Sequence, residues 1–344
     1  MGLIRTRLAD LPEPDAWPLP PRATSAIPMQ THAWTRARLE ALPPGQDVRL
    51  YAVREGSAIA AIAPLVRVGD WLREPPALFE PGDFPWRSPE GLRELAGLLA
   101  AQPLPLYLER VPVDSLTLPL LRRAYARRGF VQVRPAMPTP TIPLTPGGDL
   151  HDVLNAGRRS DLRRLERKAR AFGEPTYDFH EPRSTGQLDM ALAEAYAVEA
   201  RSWKEDAGTS LTADPWQGAF FRRFAAEAAK TGILRLAFLR IDGQPVAMQI
   251  AVEWRRRLWL LKISHDAAYA RCSPGQLLIA HTLAEASRRG LEAYEFMGVM
   301  ADWTKLWTNE TRGYVQIRAI PLGAAAAKLL IKRGIRAALG RLRR

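Results

Sequence analysis

An internal repeat constrains the fold of this chain more than any other feature of its sequence. The segment Arg49–Ala60 aligns with Arg235–Ala247 once a single residue, Ile241, is looped out. In both segments a run of β-forming residues meets an acidic-Gly turn and continues as a second apolar run, which is typical of a β-hairpin. Two such hairpins so far apart predict a duplicated α/β domain rather than a solenoid, whose repeats are much shorter.

A second repeated motif occurs downstream of each hairpin. Arg127–Phe130 and Arg288–Leu291 both place Arg-Arg-Gly before an apolar residue, and each predicts a helix closed by a C-cap glycine and followed by a strand. From Leu188 to Ile320 the patterning predicts two helices, three strands, a helix, a strand, a short helix and a last strand. In both halves of the chain the hairpin comes first and the Arg-Arg-Gly motif follows, and this common order supports a duplication.

The length of the chain agrees with two domains. It has 344 residues, and a single hydrophobic core stops growing at about 250–300. A proline cluster at 135–146 followed by two glycines predicts the boundary between them. We expect an α/β (α+β) protein with two tandem domains, each a mixed, mainly antiparallel sheet flanked by helices. The expected segments are a proline-rich N-terminal arm at 1–28, a first domain at 29–146, a basic inter-domain helix at 147–175, a donor-binding second domain at 176–321 and a basic amphipathic C-terminal helix at 322–344.

Composition and missing motifs exclude several function classes. The net charge of +13 favours an anionic partner. One cysteine excludes a disulfide framework or a Cys-rich zinc site, and five scattered histidines lack the spacing of metal ligands, so we expect no metal. P-loop, Rossmann and α/β-hydrolase signatures do not occur. No apolar run approaches a bilayer span and no signal-like segment occurs at the start, so we expect a cytoplasmic protein.

One turn has the chemistry of an anion site. Ser273 fits an N-cap, Pro274 fits the first helical position, and Gly275 lets a ligand approach the backbone of the following helix. With Arg271 nearby, this helix N-terminus suits a pyrophosphate. The alternative is an ordinary helix cap.

Several motifs together resemble one superfamily. They are Tyr-Ala-x-x-Ser-Pro-Gly-x-Leu-Leu at 269–278, Glu-Phe-Met-Gly at 295–298, Lys-Leu-Trp at 305–307 and Arg-Ser-Trp at 201–203. Over about residues 30–320 the chain resembles the GNAT N-acyltransferases, and more closely their CelD-like branch, which is related to the Fem aminoacyltransferases. The resemblance implies two tandem GNAT folds, with the acyl donor in the second. It departs from the branch at Glu295, where Asp is usual, and at Thr304, where Tyr is usual, and only Arg271 and Gly275 remain of the phosphate-turn pattern.

The resemblance and the residue chemistry together predict a set of site residues. A carboxylate at Glu295, mid-strand among apolar neighbours, can act as general base toward an amine, although a salt bridge is the alternative. Lys305 resembles a residue that stabilises charge on the carbonyl or phosphate, or it pairs with Asp302 on a helix surface. The predicted set is Glu295, Lys305 and Asp302 for catalysis, Arg271, Ser273, Gly275 and Gln276 for the donor, and Arg201, Trp203 and Trp307 for the substrate.

The expected function is transfer of an acyl group, acetyl from acetyl-CoA or another acyl-CoA, to a primary amine on a small molecule or a cell-envelope component, by direct attack. No permanently bound cofactor is expected. One alternative is a Fem-like transferase that uses aminoacyl-tRNA, and another is a non-catalytic binding protein that kept the fold. The basic stretches Arg158–Arg170 and Lys328–Arg344 could grip tRNA or an anionic membrane surface, or could be solvated helices.

Overall fold

The chain forms two compact units. The computed structural model describes residues 11–21, 25–76, 80–148, 154–202 and 215–323. The first unit comprises Met1–Met137 and Gly313–Arg344, and the second comprises Pro138–Arg312. The division therefore falls before the proline cluster ends, the basic helix lies in the second unit, and the last strand lies mainly in the first. Beyond residue 323, the expected C-terminal helix lies outside the described residues.

The first unit is a sheet with helices that fill one of its faces. Its strands lie in the order β1-β2-β3-β4-β11, next to the first part of β5. The apolar side chains of β1, β2 and β4 pack with those of α2 and α3 in one core. Its elements are α1 (His32–Glu40), β1 (Asp47–Glu55), β2 (Ala58–Val68), β3 (Trp71–Arg73), α2 (Pro89–Ala100), β4 (Leu106–Pro112), α3 (Thr117–Tyr125), β5 (Gly129–Pro143) and β11 (Thr311–Pro321).

The second unit repeats this plan. Its strands follow the order β5-β10-β9-β8-β7-β6, where β5 contributes residues 138–143. The central strands are almost wholly buried, because helices cover them. Its elements are α4 (Ala156–Arg170), β6 (Pro175–His180), α5 (Thr185–Ala200), α6 (Pro215–Lys230), β7 (Leu234–Ile241), β8 (Gln244–Trp254), β9 (Arg257–His265), α7 (Pro274–Arg288), β10 (Ala293–Glu295) and α8 (Asp302–Lys305).

The duplication inferred from the sequence is visible in the two hairpins. β1 and β2 pair antiparallel with a register shift between Val53 and Arg54, and β7 and β8 pair antiparallel with a shift between Leu239 and Arg240. These are equivalent positions in the aligned repeat. A β-bulge kept at the same point indicates that both copies bend their hairpin in the same way.

The two Arg-Arg-Gly motifs have different structures. Gly290 has a φ of +74° just past the end of α7 and is the predicted C-cap glycine. Gly129 instead begins β5, and a Cβ there would lie 2.1 Å from the carbonyl oxygen of Ile320. The prediction of a C-cap at Gly129 is therefore wrong, because that glycine is required by a close approach of two strands.

Candidate functional site

Two parallel strands of the second unit part to form a cleft. β9 pairs with β10 only at Arg257–Trp259, opposite Ala293–Glu295. β9 then continues to His265, paired among the described strands with β8 alone. The backbone edge of the second half of β9 therefore faces an opening instead of a neighbouring strand. Such an edge can pair with an extended ligand that carries amide groups.

Helix α7 begins at the mouth of this opening. Ser273, its N-cap, has a left-handed backbone with φ 48°, and its side chain makes no capping bond. The predicted position of the cap is right, but the predicted capping role is not observed. Pro274 has no N–H, and the N–H of Gly275 has no hydrogen-bond partner among the described residues. A free N–H at the positive end of a helix dipole is an anion-binding feature.

Strand and helix together enclose a cavity of about 330 Å³, within the range of small-molecule sites. None of its lining residues is acidic. The hydroxyl of Ser264 is buried without a hydrogen-bond partner. The lining residues are Ile263, Ser264, His265, Ala270, Ser273, Gly275, Gln276, Ile279 and Trp303.

Gln276 is held by two donors behind the cavity wall. Its Oε1 accepts hydrogen bonds from Trp307 Nε1 at 2.7 Å and from Arg158 Nη2. The guanidinium of Arg158 also lies over the ring of Trp307, 4.2 Å from its centroid. Both residues are buried, and burial lowers the pKa of Arg158. Trp307 therefore packs behind Gln276 and does not itself line the cavity.

Glu295 lies in a buried ion-pair cluster. Its Oε1 is 2.6 Å from Arg257 Nη1 and 3.2 Å from Arg312 Nη1, and its side chain is fully buried. The preceding residue, Tyr294, bonds Thr282 of α7, so the alternation of a strand points Glu295 to the opposite face of the sheet. Glu295 does not line the cavity. This geometry is that of the salt bridge considered as the alternative, and a catalytic role for Glu295 stays a prediction.

Helix α8 presents its pair of charges to solvent. Lys305 Nζ lies 2.9 Å from Asp302 Oδ1, and the Asp302 side chain is 99% exposed. The hydrogen bond from Lys305 lowers the pKa of Asp302. On the same helix, Trp303 lines the cavity and meets Phe296 edge to face. The part of α8 that reaches the cavity is thus the tryptophan between the two predicted catalytic residues.

The remaining predicted residues lie at the edges of the site. Arg201 Nε is 2.6 Å from Asp266 Oδ2, and the Arg201 carbonyl accepts from Ala267 N, so this arginine anchors the loop after β9. Arg271 is exposed on a 3₁₀ turn at Ala267–Cys272 and does not line the cavity. Trp203 lies outside the described residues.

The sequence alone missed part of the cavity wall. Arg158 was assigned to a basic helix, and its contact with Gln276 joins residues far apart in the chain. The sequence pattern predicted Ile263 and Ser264 only as strand residues, because such a pattern does not show where pairing with the neighbouring strand ends. His265 follows the predicted strand near the expected donor cleft, where the sequence leaves a catalytic role and an ordinary hydrogen-bonded turn residue as alternatives.

A family model matches within the second unit. Residues 156–305 match the model described as an acetyltransferase (GNAT) domain. The match begins with α4 and ends with α8, so it includes the strands, the helix and the turn that form the cavity. The predicted relation to the GNAT superfamily and the prediction of a GNAT-family acyltransferase are confirmed by this match.

Several solved structures share the fold. FemX has a TM-score of 0.57 and 12% identity, covering 96% of this chain and 99% of its own. L-PGS from Bacillus licheniformis has a TM-score of 0.54 and 13% identity, covering 83% and 88%. The C-terminal domain of a protein named as a lysylphosphatidylglycerol synthetase, from Agrobacterium fabrum, has a TM-score of 0.55 and 11% identity, covering 87% and 89%. At these identities the likeness shows a common fold.

Three further observations are negative. No curated protein matches the sequence. Within the described ranges, no helix is both long and apolar enough to cross a bilayer. In the same ranges, no group of three or more His, Cys, Asp or Glu side chains is arranged to hold a metal ion.

Proposed function

Residues 156–305 form a GNAT acyltransferase domain. From this domain we propose that the protein transfers an acyl group from an acyl-CoA to a primary amine, with acetyl-CoA as the first donor to test. One observation carries the proposal. The parting of β9 and β10 opens a strand edge beside the N-terminus of α7, with the unpartnered N–H of Gly275 at that end. An acyl-CoA has an anionic pyrophosphate at one end and an amide-containing arm at the other, which match these two features.

The charge of the site agrees with this donor. The lining residues include no carboxylate, and the chain as a whole carries a net charge of +13. A polyanionic donor is drawn toward a cleft of this kind by the field of the protein and by the helix dipole. Ile263, Ile279 and Trp303 supply apolar surface for the uncharged part of the arm.

The proposed reaction needs no covalent enzyme intermediate. The neutral amine attacks the thioester carbonyl, a C–N bond forms, the C–S bond breaks, and the sulfur leaves as CoA thiolate. The ammonium loses one proton to a base. Histidine is the side-chain type best suited to accept it near neutral pH, and His265 stands on the cavity wall. We therefore propose His265, or water beside it, as the acceptor, with Glu295 holding Arg257 and Arg312.

A second candidate donor is aminoacyl-tRNA. The observation that favours it is the solvent face of α4, where five basic side chains are exposed: Arg163, Arg164, Arg167, Lys168 and Arg170. Arg164 and Arg170 pair with carboxylates. α4 also packs against α7, so this face lies on the helix next to the donor cleft. Basic side chains on such a face can bind the phosphates of an RNA backbone.

The acceptor is proposed as an amine on a small molecule or a cell-envelope component. Fold relatives include a protein named for lysylphosphatidylglycerol synthesis, and that name supports a lipid-linked acceptor as one class to test. The proposed place of action is the cytoplasm or the inner face of the membrane. The tail that would contact an anionic membrane lies outside the described residues.

A donor competition distinguishes the candidates. Wild-type protein is incubated with a panel of amines and either radiolabelled acetyl-CoA or a labelled aminoacyl-tRNA, and acid-stable product is counted. Transfer from acetyl-CoA supports the proposal, whereas transfer from aminoacyl-tRNA alone supports the second candidate. If neither donor binds, measured by thermal shift for acetyl-CoA and by filter retention for tRNA, both proposals are wrong and a binding protein on this fold remains.

A further inference from the structure

The side-chain amide of Gln276 has a fixed orientation. The guanidinium of Arg158 and the indole N–H of Trp307 are donors with no acceptor atom. The Gln276 atom that faces both of them must therefore be the carbonyl oxygen, Oε1. No exchange of the amide oxygen and nitrogen would preserve these two bonds.

This orientation leaves the amide nitrogen unused. Oε1 takes both bonds, and Nε2 has no hydrogen-bond partner among the residues that the structure describes. Gln276 also lines the cavity. Because the amide is planar, an oxygen fixed toward Arg158 and Trp307 turns the two N–H bonds of Nε2 away from them. These N–H bonds are donors available to a ligand.

Among the described residues, Arg158 makes no ion pair with a carboxylate, although Asp161 on the same helix acts on its charge. The side chain is 7% exposed, its Nε has no hydrogen-bond partner in the same part of the chain, and its guanidinium contacts Gln276 and Trp307. A buried cation without a paired anion is costly, so such an arrangement favours a ligand with negative or carbonyl oxygen atoms nearby.

We propose that Arg158 and Trp307 are positioning residues that hold Gln276 so that its Nε2 donates a hydrogen bond to an oxygen atom of the acyl donor. This inference rests on the proposed function. The oxygen belongs either to the pyrophosphate or to an amide carbonyl of the pantetheine arm, since both are acceptors without a proton. Gln276 is thus a donor-recognition residue, and Trp307 acts through it and does not contact the substrate.

Two variants separate the recognition group from the residues that hold it. In Gln276→Glu the carboxylate keeps both bonds to Arg158 and Trp307 but has no N–H to offer. We expect its KM for acetyl-CoA to rise about tenfold or more, as for the loss of one hydrogen bond to a charged partner. Trp307→Phe keeps an aromatic ring under Arg158 but loses Nε1, so we expect a rise of about three- to tenfold. In both, kcat at saturating donor should stay within about twofold, because binding is lost and chemistry is kept.

A coupled variant and two controls guard against a merely structural effect. In the Gln276→Glu background, Trp307→Phe should add no further rise in KM, because the group that it positions is already gone. Arg158→Lys, which can still donate to Oε1, should retain more donor affinity than Arg158→Met. Tyr125→Phe removes a buried 3.1 Å bond to Leu99 in the other unit and should leave both KM and kcat unchanged.

The source of the oxygen is identified by a truncated donor. If Nε2 binds the pyrophosphate, Gln276→Glu and the uncharged Gln276→Met should both raise KM for acetyl-CoA but not for acetyl-pantetheine; if it binds the pantetheine amide, KM should rise for both donors. Equal KM values for wild type and Gln276→Glu with both donors would overturn the inference while leaving the proposed function intact. If wild-type protein neither binds acetyl-CoA nor transfers from it, the proposed function fails as well.

Discussion

Trp307 donates its indole N–H to Gln276 Oε1 at 2.7 Å, and this bond connects the segment just after α8 with the first turn of α7. The sequence placed these residues in two separate roles, substrate binding and donor binding. Their contact places Trp307 directly behind the cavity wall at Gln276.

Gly275 offers a matched pair of substitutions. A Cβ at this position would lie 3.7 Å from His265 Nδ1 and from Ile263 Cδ1, which are ordinary contacts, so Gly275→Ala should fold and bind acetyl-CoA nearly normally. Gly275→Asp adds a negative charge at the same point and should weaken binding by about 1–2 kcal/mol, roughly five- to thirtyfold. Isothermal titration measures both. Equal affinities for the two variants would remove Gly275 from the donor site.

Glu295→Gln should reduce stability more than catalysis. The substitution removes the negative charge that two guanidinium groups share inside the protein, so we expect a loss of about 3 kcal/mol in the free energy of unfolding. At a temperature where the variant is folded, kcat should stay within about threefold of wild type. Urea unfolding and steady-state kinetics are measured on the same preparation. An unchanged stability with a ~10²-fold loss of kcat would establish Glu295 as the general base instead.

Asp83 makes the stability of the first unit depend on pH. It accepts hydrogen bonds from Ser115, Thr117 and the N–H of Phe84, yet burial dominates and raises its pKa to about 6. Between pH 4 and 6 the folded state thus binds more protons than the unfolded state, so stability should fall as pH rises through this window and level off above it. Burial also raises the pKa of Glu74, to about 7. The fall in stability with rising pH should therefore continue to about pH 7.

Replacing Asp83 isolates its share of this effect. Asp83→Asn keeps the shape, and its amide can donate to the Ser115 hydroxyl, but it does not titrate. The fall in unfolding free energy between pH 4 and 7 should be smaller in the variant, by on the order of 2 kcal/mol. Denaturant unfolding at several pH values measures it. The same slope in both proteins would show that Asp83 keeps an ordinary pKa.

The basic face of α4 separates the two donor candidates. Arg163 and Arg167 are exposed, and neither lines the cavity. With acyl-CoA as donor, charge reversal at both should change the transfer rate by less than about twofold at 0.15 M salt, because screening weakens exposed charges over ~8 Å. A tRNA donor would instead show log affinity falling with log salt by about 0.7–0.9 per phosphate contacted. A smaller salt slope in the charge-reversal variant would then contradict the acyl-CoA account.

Local patterning predicted the elements of the second unit well. The hairpin of β7 and β8 was predicted from the repeat, and the start of α7 at Pro274 was predicted from its cap and proline. Hairpins and capped helices are local features, so the residues that specify them are neighbours in sequence. The internal repeat also predicted a duplicated domain, and the β-bulges at equivalent positions of the two hairpins support that prediction.

The cleft was harder to predict, because long-range pairing decides it. Nothing in the alternation of β9 shows that its pairing with β10 stops at Trp259. Glu295 looked like an isolated buried acid, since its partners Arg257 and Arg312 come from distant strands. The division between the units lies inside the predicted proline cluster, but the return of β11 to the first unit is a matter of strand pairing, which composition does not show.

Hydrogen–deuterium exchange with and without acetyl-CoA tests the donor cleft most directly. The account predicts slower exchange in peptides that cover residues 260–265 of β9 and the first turn of α7, and little change in the first unit. Exposed backbone groups in that opening should be covered by the donor. Protection confined to other segments, or none at saturating acetyl-CoA, would contradict the claim that the opening between β9 and β10 binds the acyl donor.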